Sequence, residues 1–180
     1  LRSLRLVITG RPGVGKSTLF STIISTLREH DIPVGGVMAP EVRVEGRRIG
    51  FKLVDLLTGE EAWLARRDYP SPVRVGSYGV VVEEASQLVE RALNRAMSET
   101  SVVGIDEVGP MELKLPVFKP MLLELLRSDK HLILVVHYNL SDREILSELA
   151  TAKKVVLTLE NREGYRRTLP PEVLREVKQA

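Results

Sequence analysis

A chain of 180 residues, 43% of them apolar and 28% charged, is long enough for one folded domain with a full hydrophobic core, and residues 1–180 read as such. It has no cysteine, which excludes a disulfide framework, a thiolate metal site and a cysteine nucleophile. A net charge of +2 with no basic block gives no reason to expect a nucleic-acid partner. No apolar run approaches a membrane span, and the chain enters its first strand without a leader-like stretch, so a cytoplasmic protein is expected; no protein partner is indicated.

Leu4, Leu6, Val7 and Ile8 fit a buried strand, and Leu19, Phe20, Ile23, Ile24 and Leu27 recur at helical spacing. Between them Gly10-Arg11-Pro12-Gly13-Val14-Gly15-Lys16-Ser17-Thr18 spells G-x-x-x-x-G-K-S, the phosphate-binding loop known as Walker A. Its glycines let successive N–H groups converge at a helix N-terminus, where the helix dipole favours an anion. Lys16 is expected to reach the β- and γ-phosphates, and the Ser17 hydroxyl to ligate Mg²⁺, which binds through few protein oxygens.

Val34 to Met38 reads as a second strand. Residues 41–44 and 49–55 read as a β-hairpin with Gly46 in its turn, inserted beside the main sheet. Thr58-Gly59-Glu60-Glu61 has a capping-box pattern and predicts a short helix carrying Trp63 and Leu64. Residues 73–82, punctuated by Gly76 and Gly79, fit either a loop approaching ligand or a bulged strand. Residues 83–98 predict an amphipathic helix with Ala85, Leu88, Val89, Ala92, Leu93, Ala96 and Met97 inward.

Ser101 to Glu107 is an apolar strand ending in two carboxylates, the Walker B arrangement. In a parallel α/β sheet ligands sit at the carboxyl ends of strands, so Asp106 is expected near Mg²⁺ and Glu107 near the water that attacks the γ-phosphate. A loop at 110–115, a helix at 117–128 with Pro120 awkwardly inside, and a strand at 132–136 ending in His137 follow. Next come a helix capped from Ser141-Asp142, a strand at 155–159, and a short helix starting at Pro170-Pro171. This alternation predicts a three-layer, mostly parallel α/β sheet.

A phosphate loop alone does not choose between hydrolase, kinase and switch. Glu107 directly after Asp106 supplies a base for water and favours hydrolysis. The long interval between Gly10 and Asp106 leaves room for a central strand between the two motifs, as in ATPase-like proteins, and His137 then stands where a γ-phosphate sensor is placed; it could equally cap a turn. Asp106-Glu107-Val108-Gly109 fits D-x-x-G, but in Asn139-Leu140-Ser141-Asp142 a leucine replaces the lysine of a guanine-reading motif. A nucleoside or small-molecule kinase, with hydrolysis as a side reaction, stays open, with Arg66, Arg67, Arg74, Arg166 and Arg167 available for a lid.

The Walker A run, Gly50-Phe51 with Asp55-Leu56, Val75-Gly76-Ser77-Tyr78-Gly79-Val80, Ile105-Asp106-Glu107-Val108-Gly109-Pro110-Met111-Glu112-Leu113 and Glu160-Asn161-Arg162 together resemble the nucleoside-triphosphatase family of thermophilic archaea and bacteria, over nearly the whole chain. The resemblance implies a RecA-like fold and Mg²⁺-dependent hydrolysis of ATP, GTP and other nucleoside triphosphates with loose base preference. It further implies nucleotide contacts from Val102, Val103, Gly104, Ile105, Asp106, Glu107, Val108 and Gly109 beside those of Gly10 to Thr18, and puts Asn161 and Arg162 near the base or its rim. His137-Tyr138-Asn139 departs from the family's more basic pattern there, which bears on the sensor role.

Overall fold

A computed structural model of the chain describes residues 3–180. Its ten strands form one sheet in the order β10-β1-β9-β8-β2-β4-β5-β7-β6, with β3 paired to β4. The strands are β1 (Arg5–Thr9), β2 (Val34–Met38), β3 (Glu41–Val44), β4 (Arg47–Asp55), β5 (Glu61–Arg66), β6 (Arg74–Val75), β7 (Tyr78–Val80), β8 (Val102–Val108), β9 (His131–Val136) and β10 (Lys153–Val156). The helices are α1 (Lys16–Glu29), α2 (Val82–Glu99), α3 (Phe118–Leu126), α4 (Arg143–Glu148) and α5 (Arg162–Gln179).

The sheet has two halves. β10, β1, β9, β8 and β2 are parallel, and β9 lies between β1 and β8. Along these strands alternate residues face opposite sides. Leu6, Ile8, Ile133 and Val135 pack with Phe20, Ile23 and Ile24 of α1 and Leu169 and Val173 of α5. Val7, Leu132, Leu134 and Ile105 pack with Leu88, Ala92 and Ala96 of α2 and Phe118 and Leu122 of α3. Two helical faces therefore enclose the parallel half, as continuous apolar strands require.

The other half, β3 to β7, is antiparallel. The expected hairpin is present as β3 and β4, turned at Glu45 and Gly46, which both take left-handed conformations. It is not a separate insertion, because β4 continues into pairing with β2 and β5. The sheet is thus mixed, where a mostly parallel one was expected.

Three local expectations change. Residues 58–64 do not make a helix; β5 begins at Glu61. Buried Asp55 claims the preceding segment: its Oδ1 accepts the N–H groups of Leu57 and Thr58 at 2.8 and 3.2 Å, and its Oδ2 receives Arg95 Nη1 of α2 at 2.5 Å. The capping-box residues are spent on a turn, in which the Gly59 N–H donates to the Asp55 carbonyl at 2.8 Å and the Glu60 N–H to Thr58 Oγ1 at 3.1 Å, and pairing with β4 overrides the helical pattern. Within residues 73–82, β6 and β7 form a two-strand hairpin turned at Gly76, and Val82 already begins α2. The last helix begins at Arg162 and holds Pro170 and Pro171 inside it. Its start is set by a reciprocal pair: Thr158 N–H donates to Asn161 Oδ1 at 2.7 Å, and Asn161 N–H donates to Thr158 Oγ1 at 3.2 Å. Pro120 is no obstacle, since α3 starts at Phe118 and position 120 falls in its first turn, where no N–H is needed for the intrahelical ladder. β10 covers residues 153–156 and so ends before the expected 155–159 strand does.

Candidate active site

The phosphate loop leaves β1 at Thr9 and enters α1 at Lys16. Gly15 caps α1 in a left-handed conformation, no side chain caps the helix, and its first turn holds no acid. The first N–H groups of α1 therefore carry their partial positive charge unopposed by any nearby carboxylate on the helix. Lys16 Nζ donates to the Gly10 carbonyl at 2.5 Å, folding the ammonium over the loop.

Across β9, the end of β8 brings the two acids to the same place. Met38 of β2 and Val135 of β9 flank Asp106, and the β8–β9 register slips between Asp106 and Val108. The Asp106–Glu107 peptide bond is cis. Neighbours on a regular strand face opposite sides. Here both Asp106 and Glu107 line one cavity of about 220 Å³, with Ser17 and His137. Ser17 stands across this cavity from the Asp106 carboxylate and favours its ionised form. Burial pushes Asp106 up to about 6; Ser17 and Lys16 oppose this, and the charge of Glu107 adds to it. Burial also raises Glu107, with Lys16 opposing. A methyl group on Gly109 would lie 2.6 Å from Glu107 Oε1, so only glycine leaves that carboxylate its position.

His137 reaches the cavity because its N–H donates to the Val108 carbonyl at 3.0 Å, tying the end of β9 to β8 beyond the slip. Its Nδ1 accepts the Asn139 N–H at 3.1 Å, which leaves the proton on Nε2 in the neutral ring. Burial, then the charge of Lys16, lowers its pKa, so the ring is a neutral donor at pH 7.

Glu112 is the residue that sequence reasoning passed over. It sits in a 3₁₀ turn, only 4% exposed, and lines the same cavity. The backbone N–H groups of Glu112 itself and of Glu107 favour its ionised form, but not enough to offset burial. Burial, with the charge of Glu107 and more weakly that of Asp106 adding, pushes it up to about 8. In the sequence it stands only as part of the 105–113 motif, and the signal to single it out was an acid wedged between Met111 and Leu113 in a segment read as loop.

On the other side of the phosphate loop a cavity of about 610 Å³ runs along residues 9–14, Tyr138 and residues 156–160. Its rim is apolar: Tyr138, Val156 and Leu159 are 48%, 54% and 61% exposed. Asn161 does not line it. Its side chain is committed to Thr158 and to the Val156 carbonyl, which Nδ2 reaches at 2.9 Å. Arg162 opens α5, its Cδ 3.9 Å from where a Gly15 methyl would stand. Val102, Val103, Ile105 and Val108 are fully buried and, with Gly104, line neither cavity; of the 102–109 stretch, Asp106, Glu107 and Gly109 border open space. Among the described residues no cluster of three or more acid or histidine ligands could cage a metal, and no helix is long and apolar enough to cross a membrane.

The sequence profile of a family described as NTPase matches residues 5–174. The chain is 43% identical to the nucleoside-triphosphatase THEP1 of Thermofilum pendens, over 95% of this chain and 93% of that protein. It is 39% identical to the protein of the same name from Saccharolobus solfataricus, over 91% and 89%. Two solved structures are similar in fold. One is the crystal structure of THEP1 from Aquifex aeolicus, with a TM-score of 0.81 and 28% identity over 92% of this chain and 96% of that one. The other is the solution structure of a human cancer-related nucleoside triphosphatase, with a TM-score of 0.78 and 30% identity over 100% and 99%.

Proposed function

Since the chain belongs to the NTPase family and is a nucleoside-triphosphatase, we propose that it cleaves the γ-phosphate from nucleoside triphosphates at the junction of the phosphate loop and the β8 carboxylates, with Mg²⁺ as cofactor. The N–H groups of residues 13–18 and the Lys16 ammonium bind the phosphate chain, and Lys16 exchanges the Gly10 carbonyl for phosphate oxygens. The donor set suits Mg²⁺: a hydroxyl and a carboxylate on one cavity, Ser17 and Asp106, would hold the ion, with water and phosphate oxygens completing its shell. When bound there, the ion supplies charge neutralisation at the transferring phosphoryl group. Glu107 orients water and takes up its proton as the oxygen attacks. The Nε2–H of His137 donates to the terminal phosphate group.

The observation that carries this proposal is the meeting of Ser17, Asp106 and Glu107 around one cavity beside the loop. The central position of β9 between β1 and β8 supports a RecA-like arrangement. A broad base preference is supported by the apolar rim of the larger cavity and by Asn161, whose amide is already spent on its own loop. The test is phosphate release with Mg²⁺ from ATP, GTP, CTP and UTP beside a Glu107→Gln control. Release from all four, lost in the control, is expected. Release from one base alone would overturn the broad preference, and release undiminished in the control would remove Glu107 from its role.

A further inference from the structure

α5 packs its first turns against the N-terminus of α1, and residues 162 and 166 lie on one face of it, four apart. At Gly15 a methyl group would stand 2.8 Å from Arg166 Nη2, so the guanidinium lies directly against the phosphate loop, in space that any other residue at position 15 would take. Arg166 is incompletely satisfied there. Its Nη1 donates to Glu163 Oε1 at 2.6 Å, on the solvent side, where the Glu163 side chain is 70% exposed. Its Nε is buried and has no acceptor among the described residues. Buried donors without partners are uncommon in folded proteins and mark places where a further group belongs. The group that fits is anionic and rich in oxygen: the site combines a guanidinium fork, the positive end of α1 and the Lys16 ammonium, with no acid in the first turn of α1.

The sheet order decides which part of the phosphate chain is involved. β10, which leads into α5, lies on one side of β1; β9 and β8, which carry His137 and Glu107, lie on the other. The terminal phosphate belongs with Glu107, so Arg166 faces the phosphates that remain in the diphosphate. We propose that Arg166 is a nucleotide-binding residue supplied by the chain itself, holding the α- and β-phosphates from the β10 side of the loop and contributing to ground-state binding, not to the hydrolytic step. The proposal rests on the phosphate loop being the nucleotide site.

The test is calorimetric binding of ADP with Mg²⁺, together with steady-state phosphate release from ATP, for the parent chain, Arg166→Gln and Arg166→Lys. Gln keeps much of the side chain's bulk and removes its charge; Lys keeps the charge and loses the fork. Arg166→Gln is expected to weaken ADP binding about tenfold and to raise KM in proportion, with kcat within about twofold, because a contact equal in ground and transition states moves KM alone. Arg166→Lys is expected to recover part of the affinity. Thermal melting of each variant without nucleotide checks that the fold is kept. A fall in kcat with ADP affinity unchanged would overturn the proposal by moving Arg166 to the γ-phosphate, and unchanged affinity and kinetics would overturn it by making the contact merely structural. ADP binding needs no turnover, so the two proposals fail separately. A parent chain that binds ADP but releases no phosphate would sink hydrolysis and leave Arg166 standing.

Discussion

Glu107 and Glu112 share a cavity and have opposite consequences for the protein. Glu107→Gln keeps the shape and removes the base, so nucleotide binding should persist while single-turnover phosphate release falls about 10²- to 10⁴-fold. An equal loss of binding would mean that Glu107 holds the nucleotide and does not act on water. For Glu112 the readout is stability. Its pKa rises on folding from 4.5 to about 8, so between those values the folded chain holds a proton that the unfolded chain has released. Stability therefore declines as pH rises through that window, by at most about 1.4 kcal/mol per pH unit, and the effect vanishes below the lower value. Urea unfolding of Glu112→Gln in metal-free buffer should give a shallower decline between about pH 5 and pH 8; parallel curves would show that Glu112 ionises as freely folded as unfolded. Ser17, Asp106 and Glu107 could be singled out in the sequence because each belongs to a short motif of contiguous residues, and the structure brings the three around one cavity. Glu112 was not, because its burial depends on β8, the 3₁₀ turn and the wall opposite them. Asn161 shows the converse: the sequence singled it out, but its amide is already consumed by Thr158 and Val156.

Elements were read best where one period ran without interruption. α2 is placed within a residue of its expected bounds because its stripe extends over four turns and faces one core. β5 was misread because a local cap signal competes with a distant partner, and the partner wins through Asp55. Removing that carboxylate leaves Arg95 without its buried counter-charge and frees the N–H groups of Leu57 and Thr58. Asp55→Ala should cost about 3 kcal/mol in urea unfolding, at the lower end for a buried pair because Arg95 is 30% exposed. A loss below about 1 kcal/mol would assign the turn to backbone bonds alone. In the same way, α5 was cut short by reading its two prolines as a start, when the Thr158–Asn161 pair begins the helix two turns earlier.

At the scale of the molecule, alternating strand and helix signals made the parallel half readable; in the antiparallel half the β3–β4 hairpin was readable, but not its pairing into the same sheet through β2 and β5. That half contributes to the site: Phe51, Leu64 and Val75 form the apolar wall facing Glu107. Binding at a loop shared by β1 and α1 couples to the whole fold. ADP with Mg²⁺ at a hundredfold excess over Kd should stabilise the chain by about 2.7 kcal/mol, read as a rise in Tm. Lys16→Ala should lose most of that rise, and an undiminished rise in this variant would place the nucleotide elsewhere.

The slip in the β8–β9 ladder separates inheritance of the fold from inheritance of turnover. Asp106 pairs with Val135 and Val108 with Val136, so the ladder steps over Glu107. The position assigned the chemistry is one that the sheet leaves out of its pairing. A substitution at Glu107 therefore touches no ladder pair of the sheet, and a folded chain that holds nucleotide without turning it over is its expected product.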